Sequence, residues 1–194
     1  MVQVLKEELR LAILRAAEDE FLKHGYTGAS VKRMADQVGI SVGNLYRYYK
    51  GKEALFDSVV GPVYLELEKM IKSQVTRPMD KGHIFELIVH ALTELLERIR
   101  KPLLILIDGS QGTKHEDAKL KLYKLMADNV AQHLEAYNGV QEREVFAEGT
   151  AWSVSVAFMQ GYFEIIRRHP DTEDCKSMVR QYFSFWYQGL QAFI

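Results

Sequence analysis

Three tyrosines and an arginine occupy residues 46–49, close to two lysines. Phenol and cationic groups at this density can bind phosphate oxygens. Just before them, the Val42 side chain could contact a thymine methyl group, and the Asn44 amide could pair with the edge of a base. Gly43 has no side chain and would let a duplex backbone come close. The alternative is a surface helix with ordinary tyrosines, but the density of these groups favours nucleic-acid recognition.

Patterns that carry catalysis or hold a metal ion are not found in the sequence. It has no glycine-rich phosphate loop, no His-Glu-x-x-His zinc pattern and no nucleophile elbow. No spacing pairs the acidic residues near apolar stretches as an acid and a base; these are Glu94, Asp108, Glu148 and Glu164. His83 and His90 could share a helix face, but a third ligand is missing. We therefore expect no enzyme activity, no metal and no cofactor.

The composition is that of an ordinary globular protein, and the length suits one or two domains. The 194 residues are 47% apolar and 26% charged, with a formal net charge of −1. Residues 1–52 carry nine basic and six acidic side chains, and the remainder carries 16 and 20. This asymmetry is small enough to be chance, but it fits a basic reading region on an acidic body. The longest dense apolar run, residues 103–107, is too short to cross a bilayer, and no signal peptide is evident. With only Cys175, no internal disulfide can form, so we expect a cytoplasmic protein without a membrane partner.

Helix signals position the candidate residues. Apolar residues from Leu5 to Phe21 form one face of a first helix, which should stop at His24. Gly25 suits the left-handed position beyond that end, with Tyr26 packing back on Phe21 in a Schellman cap.

Two short helices follow the first one. Ser30 is a good N-cap for the second helix, which Gly39 ends. Ser41 caps the third helix, and Ile40 and Leu45 can form a hydrophobic staple across that cap. Two short helices joined by a glycine turn and braced by a longer helix predict a helix-turn-helix.

The rest of the chain also has helical spacing, so we expect an all-α protein of about nine helices. Pro102 should interrupt a helix over 83–100, and the following run at 103–107 favours a short buried helix over a strand. The remaining helices are expected over 52–74, 116–137, 141–168 and 172–193. We expect a helix-turn-helix domain over 1–52, with the fourth helix connecting it to an effector-binding and dimerisation domain over 53–194.

Four blocks, Phe21–Tyr26, Ala29–Val31, Ala35–Ser41 and Gly43–Leu55, resemble the DNA-binding domain of TetR-type transcriptional regulators. The resemblance runs nearly continuously over residues 9–56. Tyr49 stands where the family usually has phenylalanine, so its hydroxyl needs a partner. Gly51 stands where a polar cap is common.

The resemblance implies a set of residues that contact double-stranded DNA: Ser30, Lys32, Ser41, Val42, Gly43, Asn44, Tyr46, Arg47, Tyr48 and Lys52. We expect Val42, Asn44 and Arg47 to specify bases. Ser30, Ser41, Tyr46, Tyr48 and Lys52 are expected to hold phosphates.

The last 57 residues hold 11 of the 21 aromatic residues, which indicates a large buried surface. Small residues at Gly149, Ser153, Ala157 and Gly161 form a stripe at a spacing of four. Packing within one subunit would explain the stripe, but the resemblance implies a homodimer through the last two helices. We expect the stripe, Phe185 and Trp186 to lie in that interface.

The resemblance also implies a small-molecule effector bound by the middle helices. Candidate lining residues are Phe85, His90, Tyr123, His133, Tyr137, Trp152 and Gln160. The expected function is a repressor that an effector releases from a palindromic operator. The alternative is a DNA-binding dimer controlled by a protein partner.

Overall fold

The computed structural model describes residues 2–73 and 83–191, without the side chains of residues 2–5, 73, 83–92, 94, 95, 97, 190 and 191. Eight α-helices and no strands are present in these ranges, so the all-α prediction is confirmed. The helices are α1 (Val2–Gly28), α2 (Val31–Val38), α3 (Val42–Tyr48), α4 (Lys52–Ser73), α5 (His83–Asp108), α6 (Ala118–Gln141), α7 (Thr150–Arg168) and α8 (Thr172–Gln191). No helix in the described ranges is long and apolar enough to cross a membrane.

The helices form two compact units. The head unit comprises Met1–Glu66 and Lys101–Lys119, and the body unit comprises Leu67–Arg100 and Leu120–Ile194. The helices α4 and α5 each contribute residues to both units. The domain boundary that we expect after residue 52 is a functional division and stays a prediction.

The head unit is built around the apolar face of α1. Ile13 and Phe21 are fully buried with Met34 of α2 and Leu45 of α3. The Phe56 ring of α4 meets the Phe21 ring edge-on, with the centroids 4.9 Å apart. These contacts fix α3 on the head and leave its other face outside.

The predicted ends of α2 and α3 are confirmed. The Ser30 and Ser41 hydroxyls accept hydrogen bonds from the backbone N–H groups of Arg33 and Asn44. Gly39 has a φ of 74° and ends α2 in the left-handed conformation. These caps satisfy backbone groups that would otherwise lack a partner.

The end of α1 differs from the predicted Schellman cap. Gly25 has a φ of 61° and a ψ of 179°, a combination almost restricted to glycine. The Tyr26 ring does stack on Phe21, but the Tyr26 N–H donates to the Gly109 carbonyl at 2.8 Å instead of bonding within α1. A distant segment therefore completes this turn.

The predicted interruption at Pro102 is wrong, since α5 continues through it to Asp108. A proline inside a helix costs about 3 kcal/mol because one hydrogen bond is lost and its ring crowds the preceding turn. The side chains of Leu103, Ile105 and Leu106 are almost fully buried in the head unit, and this burial offsets the cost. One continuous helix thus replaces two, which gives eight helices instead of about nine.

The α7 helix begins at Thr150, so its predicted start at residue 141 is also wrong. The Asn138 side chain explains the difference. Its Oδ1 accepts hydrogen bonds from the N–H groups of Val145 and Phe146, and its Nδ2 donates to the Phe146 carbonyl. These bonds stabilise a loop where the spacing predicted a helix.

The body unit contains an antiparallel pair formed by α7 and α8. Phe163 and Ile166 on α7 are fully buried, as are Cys175 and Val179 on α8 to within 1%. The Tyr182 hydroxyl crosses from α8 and contacts the Phe158 carbonyl of α7 at 2.8 Å. The pair is therefore held by both apolar packing and a polar contact.

Candidate nucleic-acid interface

The α3 helix has an inward and an outward face. Leu45 and Tyr49 point inward and are 0% and 5% exposed. Gly43, Tyr46 and Arg47 are exposed on the other face, and Val42, Asn44 and Tyr48 are half-buried. The residues predicted to contact DNA on this helix are therefore brought together on one short element.

Because Tyr49 points inward, its hydroxyl reaches a hydrogen-bond partner, as expected from the sequence. The hydroxyl lies 3.5 Å from the Arg10 carbonyl, and the Arg10 guanidinium lies 5.9 Å from the centre of the ring. Burial raises the pKa of Tyr49, so the phenol stays protonated and neutral. Tyr49 therefore anchors the end of α3 to α1.

Serine caps place two further candidates at helix starts. The Ser41 Oγ accepts from the Asn44 N–H at 3.1 Å, and the Ser30 Oγ accepts from the Arg33 N–H at 3.4 Å. In this role the oxygen is the acceptor, so each O–H remains a donor that could reach a phosphate. Lys32, on α2, is exposed.

An ion pair between Glu20 and Arg33 joins α1 to α2. The Glu20 carboxylate is 8% exposed and accepts hydrogen bonds from the Ser30 N–H and the Arg33 Nε, both at 2.8 Å, and from the Arg33 Nη2. Burial alone would raise the pKa of Glu20, but the hydrogen bonds from Arg33 and Ser30 outweigh it and hold the pKa below its usual value. The sequence analysis missed this pair, although an acidic residue beside Phe21 on the buried face was a signal for it.

Lys52 points toward the turn between α1 and α2. Its ammonium group lies 2.6 Å from the Tyr26 carbonyl and 3.2 Å from the Ala29 carbonyl. It also lies 4.4 Å from the centre of the Tyr26 ring. Two of its three N–H donors are thus engaged within the head unit.

The segment after α5 supports the same region of the head unit. The Asp57 carboxylate of α4 lies 2.7 Å from the His115 Nε2 and 2.8 Å from the Lys114 Nζ. The hydrogen bond from Lys114 contributes most to holding the pKa of Asp57 below its usual value. Sequence reasoning missed these contacts, because nothing local relates residues so far apart in the chain.

The residues expected at the dimer interface occupy two environments. Gly149, Ser153 and Ala157 are exposed, and Phe185 is 73% exposed. Gly161 instead faces its own α8, since a Cβ there would lie 2.6 Å from the Tyr182 Cζ. Trp186 is half-buried, and its ring lies 5.6 Å from that of Phe158.

The expected effector residues whose side chains are described differ in their burial, and their grouping into one pocket stays a prediction. Tyr123 is buried and stacks on Phe163, and Tyr137 is half-buried beside Phe146. His133, Trp152 and Gln160 are exposed in this chain. The side chains of Phe85 and His90 lie outside the described residues. Among the described residues, no group of three His, Cys, Asp or Glu side chains could hold a metal ion.

Comparison with known proteins relates this geometry to a family. Residues 13–59 match the family described as "Bacterial regulatory proteins, tetR family". Over 94 residues the chain is 27% identical to the HTH-type transcriptional regulator UidR of Escherichia coli, covering 48% of this chain and 46% of that protein. It is 43% identical over 47 residues to the HTH-type transcriptional repressor AcnR of Corynebacterium diphtheriae, covering 24% of this chain and 25% of that protein. These alignments span less than half the length of either relative.

A solved structure extends the similarity of fold to nearly the whole chain. NalD, the secondary repressor of the MexAB-OprM multidrug efflux pump in Pseudomonas aeruginosa, superposes with a TM-score of 0.58 at 22% identity. The superposition covers 92% of this chain and 95% of NalD. The tetR-family match is therefore to residues 13–59, which include all of α2 and α3, and the superposition extends the similarity of fold to nearly the whole chain.

Proposed function

We propose that the chain is a sequence-specific DNA-binding regulator, a repressor that binds a palindromic operator as a homodimer. The observation that carries the proposal is the outward face of α3, where Tyr46 and Arg47 are exposed beside Gly43. A Cβ at Gly43 would meet only the Ser41 Oγ, at 3.9 Å. Nothing in the described part of the chain therefore requires a glycine there, and close approach of DNA would explain it.

The α3 helix would enter the major groove with its first residues against the bases. In this arrangement Val42, Asn44 and Arg47 read base edges, whereas Tyr46 and Tyr48 bind phosphates. The serine caps and Lys32 add phosphate contacts on either side. Lys52 has two of its donors engaged inside the head unit, so we propose that it acts by holding the turn between α1 and α2.

Selection of genomic fragments by the purified protein tests DNA recognition. Retained fragments are sequenced, and we expect an enriched palindrome with half-sites one helical turn apart, about 34–36 Å. A Tyr46→Ala, Arg47→Ala double variant is the control, because both side chains are exposed and their loss should leave the fold intact. Equal enrichment by the variant and the natural chain would contradict reading by α3.

The dimer is proposed to form through one end of the α7–α8 pair. Residues 149–163 and 181–191 contain no charged side chain, and the antiparallel packing brings these two stretches to the same end. Trp152 and Phe185 are exposed there, at 43% and 73%. A charge-free surface with exposed aromatic anchors is typical of an interface core.

An arginine in the exposed small-residue stripe tests this interface. Ala157→Arg would place a large cation on the charge-free surface, and we expect a monomer by light scattering. Ala136→Arg on α6 is the matched control, because it introduces the same side chain at another exposed helical position and should leave a dimer. A dimeric Ala157→Arg variant would exclude this face.

We further propose that a small molecule in the body unit controls DNA binding. If DNA and effector favour different separations of the two head units, binding of either one weakens the other by the same factor. Loss of fragment retention on addition of a small molecule supports this control. Loss only on addition of a second protein would favour the alternative regulator.

A further inference from the structure

The interior of the body unit contains polar atoms that nothing in the described residues satisfies. The Tyr162 Oη and the Ser155 Oγ are buried without a hydrogen-bond partner, and so is the Arg100 Nε. A buried polar group without a partner costs about 1–3 kcal/mol, and such groups are rare in folded proteins. Three of them in one unit leave hydrogen-bonding capacity that a further polar molecule would satisfy.

The guanidinium of Arg100 is held in place by the end of α7. Its Nη2 donates to the Ile166 carbonyl at 2.8 Å. That carbonyl is free because the residue four positions later is Pro170, which has no N–H. Among the side chains that the structure describes, no carboxylate pairs with Arg100.

Tyr162 lies one helical turn before Ile166 on α7, on the side of Arg100. Cys175 lies near both residues, because burial raises the pKa of its thiol while the Arg100 guanidinium lowers it, and Cys175 in turn contributes to the raised pKa of Tyr162. Burial raises the pKa of Tyr162 far above the physiological range, so its hydroxyl remains a neutral donor. Arg100 and Tyr162 therefore offer a cation and a hydroxyl to one region.

Ser155 marks the other end of the same helix face. It precedes Tyr162 by seven residues, which is two helical turns, or about 10 Å along α7. The two residues lie on one buried face of the helix. A molecule that satisfies both of them therefore has polar groups at two ends and an apolar middle.

We propose that the body unit binds a small organic acid, whose carboxylate accepts hydrogen bonds from Arg100 and Tyr162 and whose far end hydrogen-bonds to Ser155. A single guanidinium with a neutral hydroxyl balances one negative charge, which suits a carboxylate better than a doubly charged phosphate. This inference rests on the proposed function, because the acid is then the effector. The cluster of Arg100, Tyr162 and Ser155 contains none of the seven effector-binding residues that were expected from the sequence.

Trifluoroacetate tests the carboxylate end, because it is small enough to occupy that end whatever the rest of the ligand requires. Fluorine NMR of the full chain should show saturable binding. Arg100→Gln should weaken that binding about 10- to 100-fold, the effect expected for a charge-assisted hydrogen bond. Tyr162→Phe should weaken it less, and Arg180→Gln, an exposed arginine on α8, should leave it unchanged. No saturable binding, or equal binding by Arg100→Gln, overturns the proposal.

Competition for the bound trifluoroacetate tests the far end. We expect 3-(4-hydroxyphenyl)propionate to compete at least about 10-fold more strongly than its neutral amide, because only the acid can pair with Arg100. The advantage of its hydroxyl over plain 3-phenylpropionate should disappear in Ser155→Ala. If that advantage persists in the variant, Ser155 is not the second anchor.

Fragment selection separates failure of this inference from failure of the proposed function. If specific fragments are retained but acid binding does not depend on Arg100, the proposal of a DNA-binding regulator stands and the proposal of an acid site fails. If acid binding depends on Arg100 but no specific fragment is retained, the acid site stands and the regulator proposal fails. Arg100→Lys keeps the positive charge, so partial recovery of trifluoroacetate binding would distinguish lost charge from a damaged fold.

Discussion

A substitution of Lys52 distinguishes two roles of this side chain, positioning the DNA-reading surface and contacting DNA directly. Its ammonium donates to the Tyr26 and Ala29 carbonyls and lies over the Tyr26 ring. We assign about 1 kcal/mol to each hydrogen bond, because the side chain is half-buried and partly screened. The cation–π contact adds about 0.5 kcal/mol. Lys52→Met keeps the apolar stem and should lower the free energy of unfolding by about 2.5 kcal/mol.

Thermal unfolding and the salt dependence of operator affinity measure the two roles separately. A loss of about 2.5 kcal/mol lowers the Tm of a chain of this size by about 5–10 °C. One phosphate contact contributes about 0.9 to the slope of log affinity against log salt. Because the Lys52 donors are engaged inside the head unit, we expect the slope of Lys52→Met to change by less than about half that amount.

Lys32→Met is the matched control, since it makes the same substitution at an exposed lysine on α2. We expect Lys32→Met to keep the Tm and to reduce the slope by about 0.9. The reasoning is refuted if Lys52→Met behaves in this way instead, with an unchanged Tm and a smaller slope. The ammonium would then belong to a phosphate rather than to the turn.

Two further predictions concern the head unit. Gly109→Ala places a Cβ 3.0 Å from the Ile105 carbonyl oxygen and 3.4 Å from the Gly25 Cα. We therefore expect thermal unfolding to show that the free energy of unfolding falls by about 1–3 kcal/mol. Gly139→Ala is the control, because a Cβ there meets nothing within 4 Å and the variant should be neutral or stabilising. The low pKa of Glu20 predicts that its contribution is complete above the unfolded value, near 4.5, and is lost as the pH falls through the folded value. The difference in stability between the natural chain and Glu20→Gln should therefore be constant near neutral pH and shrink below about pH 4.5 in denaturant titrations, and a constant difference down to pH 2 would contradict the assigned hydrogen bonds.

The predictions that succeeded depend on chemistry within a few residues. A serine that caps a helix accepts from an N–H three residues later, and the Ser41 bond to Asn44 has this form. A glycine at a helix end has a low cost for positive φ, which is the conformation of Gly39. The partner for the Tyr49 hydroxyl was expected because a buried phenol needs one, although its identity came only from the structure.

The predictions that failed depend on contacts that the local pattern does not show. Pro102 signals a break by local rules, but α5 continues because the turn after it is buried in the head unit. Gly25 was expected to close α1 locally, but the Tyr26 N–H bonds to Gly109. The spacing after Gln141 is helical, but the Asn138 side chain stabilises a loop there. At Pro102 and Gly25 a contact with a distant part of the chain outweighs the local pattern, and after Gln141 a side chain seven and eight residues away does so.

The candidate DNA surface is held in place by residues that do not face outward. The outward face of α3 is short, and a helix of seven residues is not stable alone. Its orientation depends on Leu45 and Tyr49 beneath it, while the neighbouring turn depends on Lys52 and on the pair formed by Glu20 and Arg33. The segment 101–119 reaches the same turn through Gly109 and reaches α4 through the contacts of Asp57. The α5 helix runs from the body unit, where it carries Arg100, to Asp108 in the head unit, so one continuous helix carries a residue of the proposed acid site and the first part of segment 101–119. We therefore expect the proposed control to require that α5 continues through Pro102 as one helix.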